Sequence, residues 1–199
     1  MLEGMNGVSA KTPENIPLGA GTIHKNLKYA KEGGWNIAAS CIGATSGGNN
    51  WSVVPKLYYP PIDGVGTKVK EVATQIGEDA KMEINMIEVT KDLILASTLG
   101  KEGTSEDTAY DMIESAGVVL NEHFWENIAF IGKTLAGKNI IIIMGNPLCS
   151  SGMNNEGKNA ESGVNKYTFE CHASINDANL NKLPWKIYYP KATTTTATT

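Results

Sequence analysis

The clearest pattern in the chain is an alternation of apolar and polar residues over positions 166–175. The apolar members, on one side of an extended chain, are Tyr167, Phe169, Cys171, Ala173 and Ile175; the polar members are Lys166, Thr168, Glu170, His172 and Ser174. Successive side chains of a strand point to opposite faces, so this pattern predicts a half-buried β-strand that begins near Val164.

Three further apolar runs extend this region into a predicted sheet. Residues 128–131 and 140–144 are separated by the turn-forming residues 135–138, which indicates a hairpin. Pro184 and Pro190 bracket a short aromatic run, and because proline donates no backbone hydrogen bond, this run is typical of an edge strand. We therefore predict a β-sheet core over residues 127–191.

The first half of the chain also favours strands. We predict strands at 22–29, 35–44 and 51–59, with Pro55 placing the last at an edge or a bulge. Residues 67–76 and 80–89 are predicted to form a hairpin joined through 77–79. The apolar phase shifts after Met86, which predicts a bulge there.

One helix is predicted, at residues 90–99. Thr90 is suited to the N-cap, Asp92 complements the positive end of the helix, and Gly100 is suited to stop it. Leu93, Ala96 and Leu99 fall on one face and would dock the helix on a sheet. The predicted fold class is mainly β: a β-sandwich or barrel with one flanking α-helix, an extended N-terminal arm and long loops.

We predict three segments in the chain. Residues 1–21 are rich in glycine, proline and asparagine and form an N-terminal arm, either disordered or ordered against a neighbouring subunit. Residues 22–191 form the β domain, with an acidic loop and then a strand within 101–127 and a long polar loop at 146–163. Residues 192–199 are a threonine-rich, low-complexity tail.

The charge of the chain is unevenly distributed. The formal net charge is −4, but residues 101–126 contain seven acids and one lysine, a local charge of −6, which leaves +2 for the remainder. All 17 basic residues are lysines. Arginine is the side chain best suited to form two hydrogen bonds with guanine or phosphate. Since the chain has no arginine, sequence-specific nucleic-acid recognition is disfavoured.

The cysteines and the apolar content favour a chain without secretion or membrane signals. Three widely spaced cysteines, Cys41, Cys149 and Cys171, favour free thiols in a reducing compartment. No stretch approaches the roughly 20 apolar residues of a membrane span, and residues 1–20 lack the apolar block of a signal peptide. We therefore interpret the glycosylation sequon at residues 50–52 as a chance match.

The motifs that suggest chemistry are incomplete. The segment 132–134 resembles the end of a phosphate-binding loop, but Asn127 stands where the first glycine is needed. Cys171 and His172 would point to opposite faces of a strand, so they would not form a nucleophile–base pair. His24 and His123 lie in unrelated segments without metal-ligand spacing. We expect no catalytic, cofactor-binding or metal-binding residues, and no enzyme activity.

The order and spacing of several segments resemble those of the bacteriophage major tail proteins, the subunits of the tail tube. The resemblance covers residues 16–190 and is carried by segments 17–21, 43–48, 63–64, 87–90, 127–133, 146–149, 167–173 and 184–190. Phage-like bacteriocins and the type VI secretion tube use a related fold. The length of the acidic segment 101–126 and the threonine-rich tail depart from the family pattern.

The resemblance implies a structural role in a virion. A subunit of this kind forms a homo-hexameric ring, and the rings stack into a hollow tube through which double-stranded DNA passes. Tape-measure, initiator and terminator proteins are the implied partners, the virion tail is the implied location, and assembly takes place in the host cytoplasm. A closed ring would pair the exposed sheet edges. Arms and loops (1–21, 45–50 and 146–163) would fold against the next ring. The acidic pI of about 5.4 suits a bore that does not hold phosphate.

Two other classes of protein stay open. A secreted or surface β-sandwich that binds carbohydrate, or an adhesin, would use exposed aromatic side chains to stack on sugars: Trp51, Trp185, the pair Tyr58 and Tyr59, and the pair Tyr188 and Tyr189. The absence of a signal-peptide pattern and of clustered Asp/Asn calcium ligands counts against it. A small hydrolase is disfavoured because no nucleophile has a base.

Overall fold

The computed structural model describes residues 7–9, 11–155, 159 and 162–191. Its described part is mainly β, which confirms the predicted fold class. The strands are β1 (Pro17–Lys25), β2 (Tyr29–Ala30), β3 (Gly34–Trp35), β4 (Asn50–Tyr58), β5 (Thr74–Met86), β6 (Gly100–Gly103), β7 (Met112–Ser115), β8 (Asn127–Thr134), β9 (Asn139–Gly145), β10 (Pro147–Cys149), β11 (Asn165–Cys171) and β12 (Trp185–Tyr188). The helices are α1 (Thr12–Asn15), α2 (Ile37–Ser40) and α3 (Lys91–Thr98).

Two four-stranded antiparallel sheets form the body of the fold. The first has the strand order β1-β8-β9-β12, and the second has the order β10-β11-β5-β4. Two short ribbons, β2-β3 and β6-β7, accompany them. In the described part of the chain, β1, β12, β10 and β4 are therefore edge strands.

One apolar core lies between the two sheets. The first sheet contributes side chains such as Ile128 and Met144, and the second contributes Met82 and Phe169, all of them buried. Alternation along each strand places these residues on one face, as the sequence pattern of β11 predicted. Helix α3 joins the same core through Leu93 and Ala96. Stacking adds to this packing, because the rings of Trp125 and Phe169 lie 4.8 Å apart.

A second, smaller apolar cluster lies on the outer face of the first sheet. Leu27 and Trp35 come from the segment that contains β2 and β3, and they cover Ala129, Ile131 and Ile141. Asn127 fixes this segment, because its side-chain oxygen accepts a hydrogen bond from the Leu27 N–H at 2.9 Å. The Trp35 ring also contacts those of Tyr29 and Tyr188, with centroids 5.2 Å and 5.0 Å apart. The outer face of this sheet is therefore partly covered by its own chain.

Several predicted elements are confirmed. The β8–β9 hairpin turns at residues 135–138, and β12 is an edge strand. The helix has Thr90 as its N-cap, where the threonine hydroxyl accepts from the Leu93 N–H at 3.4 Å. It ends at Leu99, which adopts the left-handed conformation (φ 49°) in place of the expected glycine stop.

Other predictions are wrong. Residues 35–44 do not form a strand: after β3 the chain forms α2, where the Ser40 N–H donates to the Asn36 carbonyl. The predicted hairpin through 77–79 is one continuous strand, because those residues pair with β4. The hairpin partner of β5 is therefore β4, and the turn chemistry lies in the loop 59–73. The strand ends at Met86, so the bulge expected after it does not occur; the register shift lies between Lys56 and Leu57.

The predicted segment boundaries also change. The first strand begins at Pro17, not residue 22, and pairs with β8 over most of its length, so the last part of the predicted arm belongs to the first sheet. The polar loop at 146–163 contains the short strand β10, and the acidic segment contains most of β6 and all of β7. The structure has three short helices in its described part, not one. The predicted tail, 192–199, lies outside the described residues.

Candidate assembly surface

The β4–β5 hairpin extends beyond the rest of its sheet. Strand β11 pairs with β5 only from Lys81 to Met86. Farther along, β5 pairs only with β4, from the Val54–Asp79 pair to the Tyr58–Thr74 pair. We call residues 54–79, which include the connecting loop 59–73, the projecting ribbon. No third strand in the described part of the chain pairs with it.

The projecting ribbon exposes apolar side chains. Val54, Leu57 and Ile76 on its strands are 54%, 53% and 53% exposed. Tyr58 and, in the loop, Ile62 and Val65 are also exposed. A two-stranded hairpin is marginally stable by itself in water, and contiguous exposed apolar side chains mark interaction sites. The ribbon therefore has the properties of a surface that another chain covers.

Polar contacts within the ribbon are few and exposed. Lys56 Nζ lies 2.6 Å from an Asp79 carboxylate oxygen, but both side chains are more than half exposed. Such pairs contribute little to stability. At the base of the ribbon, the Glu78 side chain accepts a hydrogen bond from the Leu183 N–H. The ribbon is thus anchored at its base, while its apolar strands and loop remain exposed.

Within the described ranges of the chain, no strand pairs with the outer edge of β4. The Asn85 N–H and C=O bond to Asn49 and Ser46, so the backbone of Asn85 points toward the β4 side. Alternation along β5 then gives the hydrogen-bonded pairs Asn50–Glu83, Ser52–Lys81 and Val54–Asp79. The backbone groups of Trp51, Val53 and Pro55 consequently point outward. Pro55 has no N–H, so the edge offers donors only near its start, which agrees with the predicted edge position of Pro55.

Two buried histidines were not recognised from the sequence. The ring of His24 bonds through Nε2 to the Thr22 hydroxyl at 2.8 Å and through Nδ1 to the Ser40 hydroxyl at 3.0 Å. Burial lowers the pKa of His24 below its ordinary value of 6.5. His123 Nδ1 accepts from the Leu120 N–H, and its Nε2 lies 2.9 Å from the Gly100 carbonyl. Both rings join segments of the chain and have a structural role.

A cavity of about 490 Å³ lies between α3, β6 and Trp125. Lys25, which lines it, is already engaged: its Nζ lies 2.8 Å from Asp92 and 5.0 Å from the centroid of the Trp125 ring. The His123 ring below it uses both nitrogens in the contacts above. The cavity therefore brings together no nucleophile and base.

The adjacent residues Cys171 and His172 are engaged separately. The Cys171 thiol donates to the Gly145 carbonyl at 3.0 Å, and burial raises its pKa to about 12. His172 Nδ1 lies 2.8 Å from the Glu170 carbonyl, and its ring packs edge-on against Phe124. Burial also raises the pKa of Cys149, whereas the third thiol, Cys41, is exposed.

The remaining sequence motifs lie in strands. Residues 132–134 are part of β8, and Thr134 is buried, so this segment is not a phosphate-binding loop. Among the described residues, no group of three or more His, Cys, Asp or Glu side chains is placed to hold a metal ion. None of the described helices is long and apolar enough to cross a membrane.

The aromatic residues considered for sugar stacking lie on different parts of the molecule. Trp51 and Tyr58 belong to β4 of the second sheet, whereas Trp185 and Tyr188 belong to β12 of the first. Trp185 is half-buried, and its indole N–H is enclosed. These side chains therefore do not form one aromatic platform.

No protein-family model matches the chain, and a search of curated proteins found no match either.

Proposed function

We propose that the chain is a structural subunit of a phage or phage-like tail tube. Its copies form hexameric rings that stack into a hollow conduit for double-stranded DNA, and the protein acts in the virion tail rather than as an enzyme. The observation that carries the proposal is the projecting ribbon, because its exposed apolar strands lack a third strand in the described chain and are suited to contact with another subunit.

The free sheet edges support the same proposal. A soluble monomer normally blunts such edges, whereas a closed ring pairs them between copies. The first half of the β4 edge has backbone donors and acceptors available, and Pro55 limits how far a neighbouring strand can pair. The six-fold symmetry and the partner proteins come from the resemblance to major tail proteins.

The outer face of the second sheet is suited to line a bore for DNA. Lys81 Nζ lies 2.6 Å from a Glu83 carboxylate oxygen, and the pair raises the pKa of Lys81 and lowers that of Glu83. Lys56 Nζ lies 2.6 Å from an Asp79 carboxylate oxygen. Lysines already held by carboxylates neutralise fewer phosphates and so release fewer counterions from the DNA, which would pass such a face without being retained.

Negative-stain electron microscopy of the purified protein across a concentration series tests the proposal. We expect rings with six-fold symmetry or hollow tubes of stacked rings, with a larger assembled fraction at higher concentration. A protein that stays monomeric at every concentration and binds sugars on a glycan array would overturn the proposal in favour of a carbohydrate-binding module.

A further inference from the structure

The two ends of the first sheet differ in charge. Strand β8 begins at Asn127, directly after the acidic segment 101–126, and ends at Thr134, beside the β8–β9 turn. At about 3.4 Å per residue, these ends are roughly 24 Å apart. Charges at one end are therefore well separated from those at the other, by more than two Debye lengths at physiological salt.

The acidic end combines negative charge with exposed apolar side chains. Some of its acids are paired: Lys91 bonds to Glu102 and Asp111, and Lys101 bonds to Glu114. Glu106 and Glu122 have no ion-pair partner in the part of the chain that the structure describes. Three exposed apolar residues belong to the same segment, Tyr110, Val118 and Val119.

The opposite end combines positive charge with exposed apolar side chains. Helix α1 is tied to the β8–β9 turn, because the Ala136 N–H donates to the Pro13 carbonyl at 3.0 Å. The Tyr189 hydroxyl donates to the Asn15 side chain at 2.6 Å and brings the last described residues to the same place. Among the described residues, the charged ones at this end are four lysines and one acid, a balance of +3: Lys11, Lys133, Lys138, Lys191 and Glu14. Ile16, Leu18, Leu135 and Tyr189 are the exposed apolar residues.

We propose that the acidic end of one copy docks on the basic end of a second copy, head to tail. Opposite charges favour this orientation, like ends repel each other, and the apolar side chains at both ends supply area to bury. A contact between two different surfaces of identical chains leaves one surface free on each terminal copy. Further copies can therefore add, and they form an open stack unless the rotation from one copy to the next closes a ring. This assignment rests on the proposed function, in which the contact lies along the tube axis and joins successive rings.

Zero-length carbodiimide cross-linking tests the contact. It joins a carboxylate to an amine only when the two touch, and a link that carries both isotopes can come only from two different chains. With an equal mixture of ¹⁴N- and ¹⁵N-labelled protein, we expect mixed-isotope links from Glu106 or Glu122 to Lys11, Lys133 or Lys191. In about 1 M salt, where the Debye length is roughly 3 Å, these links should be largely lost.

Charge reversal provides matched variants. The double variant Glu106→Lys, Glu122→Lys reduces the charge of segment 101–126 from −6 to −2, and Lys11→Glu, Lys133→Glu changes the balance of the opposite end from +3 to −1. All four residues are exposed. We expect each variant alone to lose at least tenfold in the stacked fraction. An equal mixture of the two should recover stacking, together with links from Glu106 or Glu122 of one variant to Lys11 or Lys133 of the other. Recovery in the mixture separates charge complementarity from misfolding.

The outcomes distinguish this contact from the tube itself. Six-fold rings without acid-to-base links, or links that join the acidic end to Lys56 or Lys68 of the ribbon, would overturn the head-to-tail contact and leave the tube standing. Head-to-tail chains that never close into rings would support the contact and overturn the tube. If either double variant, tested without the other, stacks as the wild type does, the contact is also refuted.

Discussion

Replacing apolar side chains of the projecting ribbon should weaken assembly without unfolding the chain. The variant Val54→Thr, Leu57→Thr, Ile76→Thr places β-branched residues, which favour strands, at all three positions. Each native side chain is a little over half exposed, so about half of its area remains to be buried by a neighbour. Full burial of such a side chain is worth about 1.5–3 kcal/mol, so each position contributes about 1 kcal/mol to an interface.

Together the three substitutions should therefore cost about 3 kcal/mol of association free energy. This corresponds to a roughly 150-fold higher concentration for half-assembly. Sedimentation velocity or light scattering over a dilution series measures that concentration, and circular dichroism with thermal unfolding checks that the fold is retained.

The chain contains a matched control for this experiment. Val164, Ile175 and Leu180 are exposed residues of the same three types outside the ribbon. Their replacement by threonine should leave half-assembly within about twofold of the wild type. A ribbon variant that assembles at the wild-type concentration, or a control that is equally impaired, would refute the assignment of the ribbon as an assembly surface.

Two further predictions concern stability. Because the pKa of His24 is lowered in the folded state, the unfolded chain binds more protons below pH 6.5, so the free energy of unfolding should fall as the pH drops from about 6.5 and level off below the folded-state pKa. Urea unfolding at several pH values between about 5.5 and 7.5 should show a weaker dependence of the unfolding free energy on pH for His24→Gln than for the wild type, and equal dependences would contradict the role of burial. Phe169→Ala should cost about 3–5 kcal/mol, because the side chain is fully buried against Trp125. Phe169→Leu should cost much less, and a loss below about 1 kcal/mol for the alanine variant would show that this core is not closely packed.

The sequence by itself determined the strands that are half-buried. In β11, alternate residues face the core and the solvent, so the period of two is visible without knowledge of the neighbouring strands. The β8–β9 hairpin and α3 were predictable for similar reasons, because a local turn and a local N-cap define them. The sequence was therefore sufficient to predict an element when its ends are set by residues a few positions away.

Only the tertiary structure decided the pairing of distant segments. Residues 77–79 have the composition of a turn, yet they lie within β5 because β4 pairs across them. No residue next to His24 in the sequence indicates that its ring is buried, yet the Ser40 hydroxyl, sixteen residues later, lies 3.0 Å from its Nδ1. The projecting ribbon and the charged ends likewise depend on which strands lack a neighbour and on which residues meet at an end of a sheet. These are long-range relations, and no local pattern of polar and apolar residues encodes them.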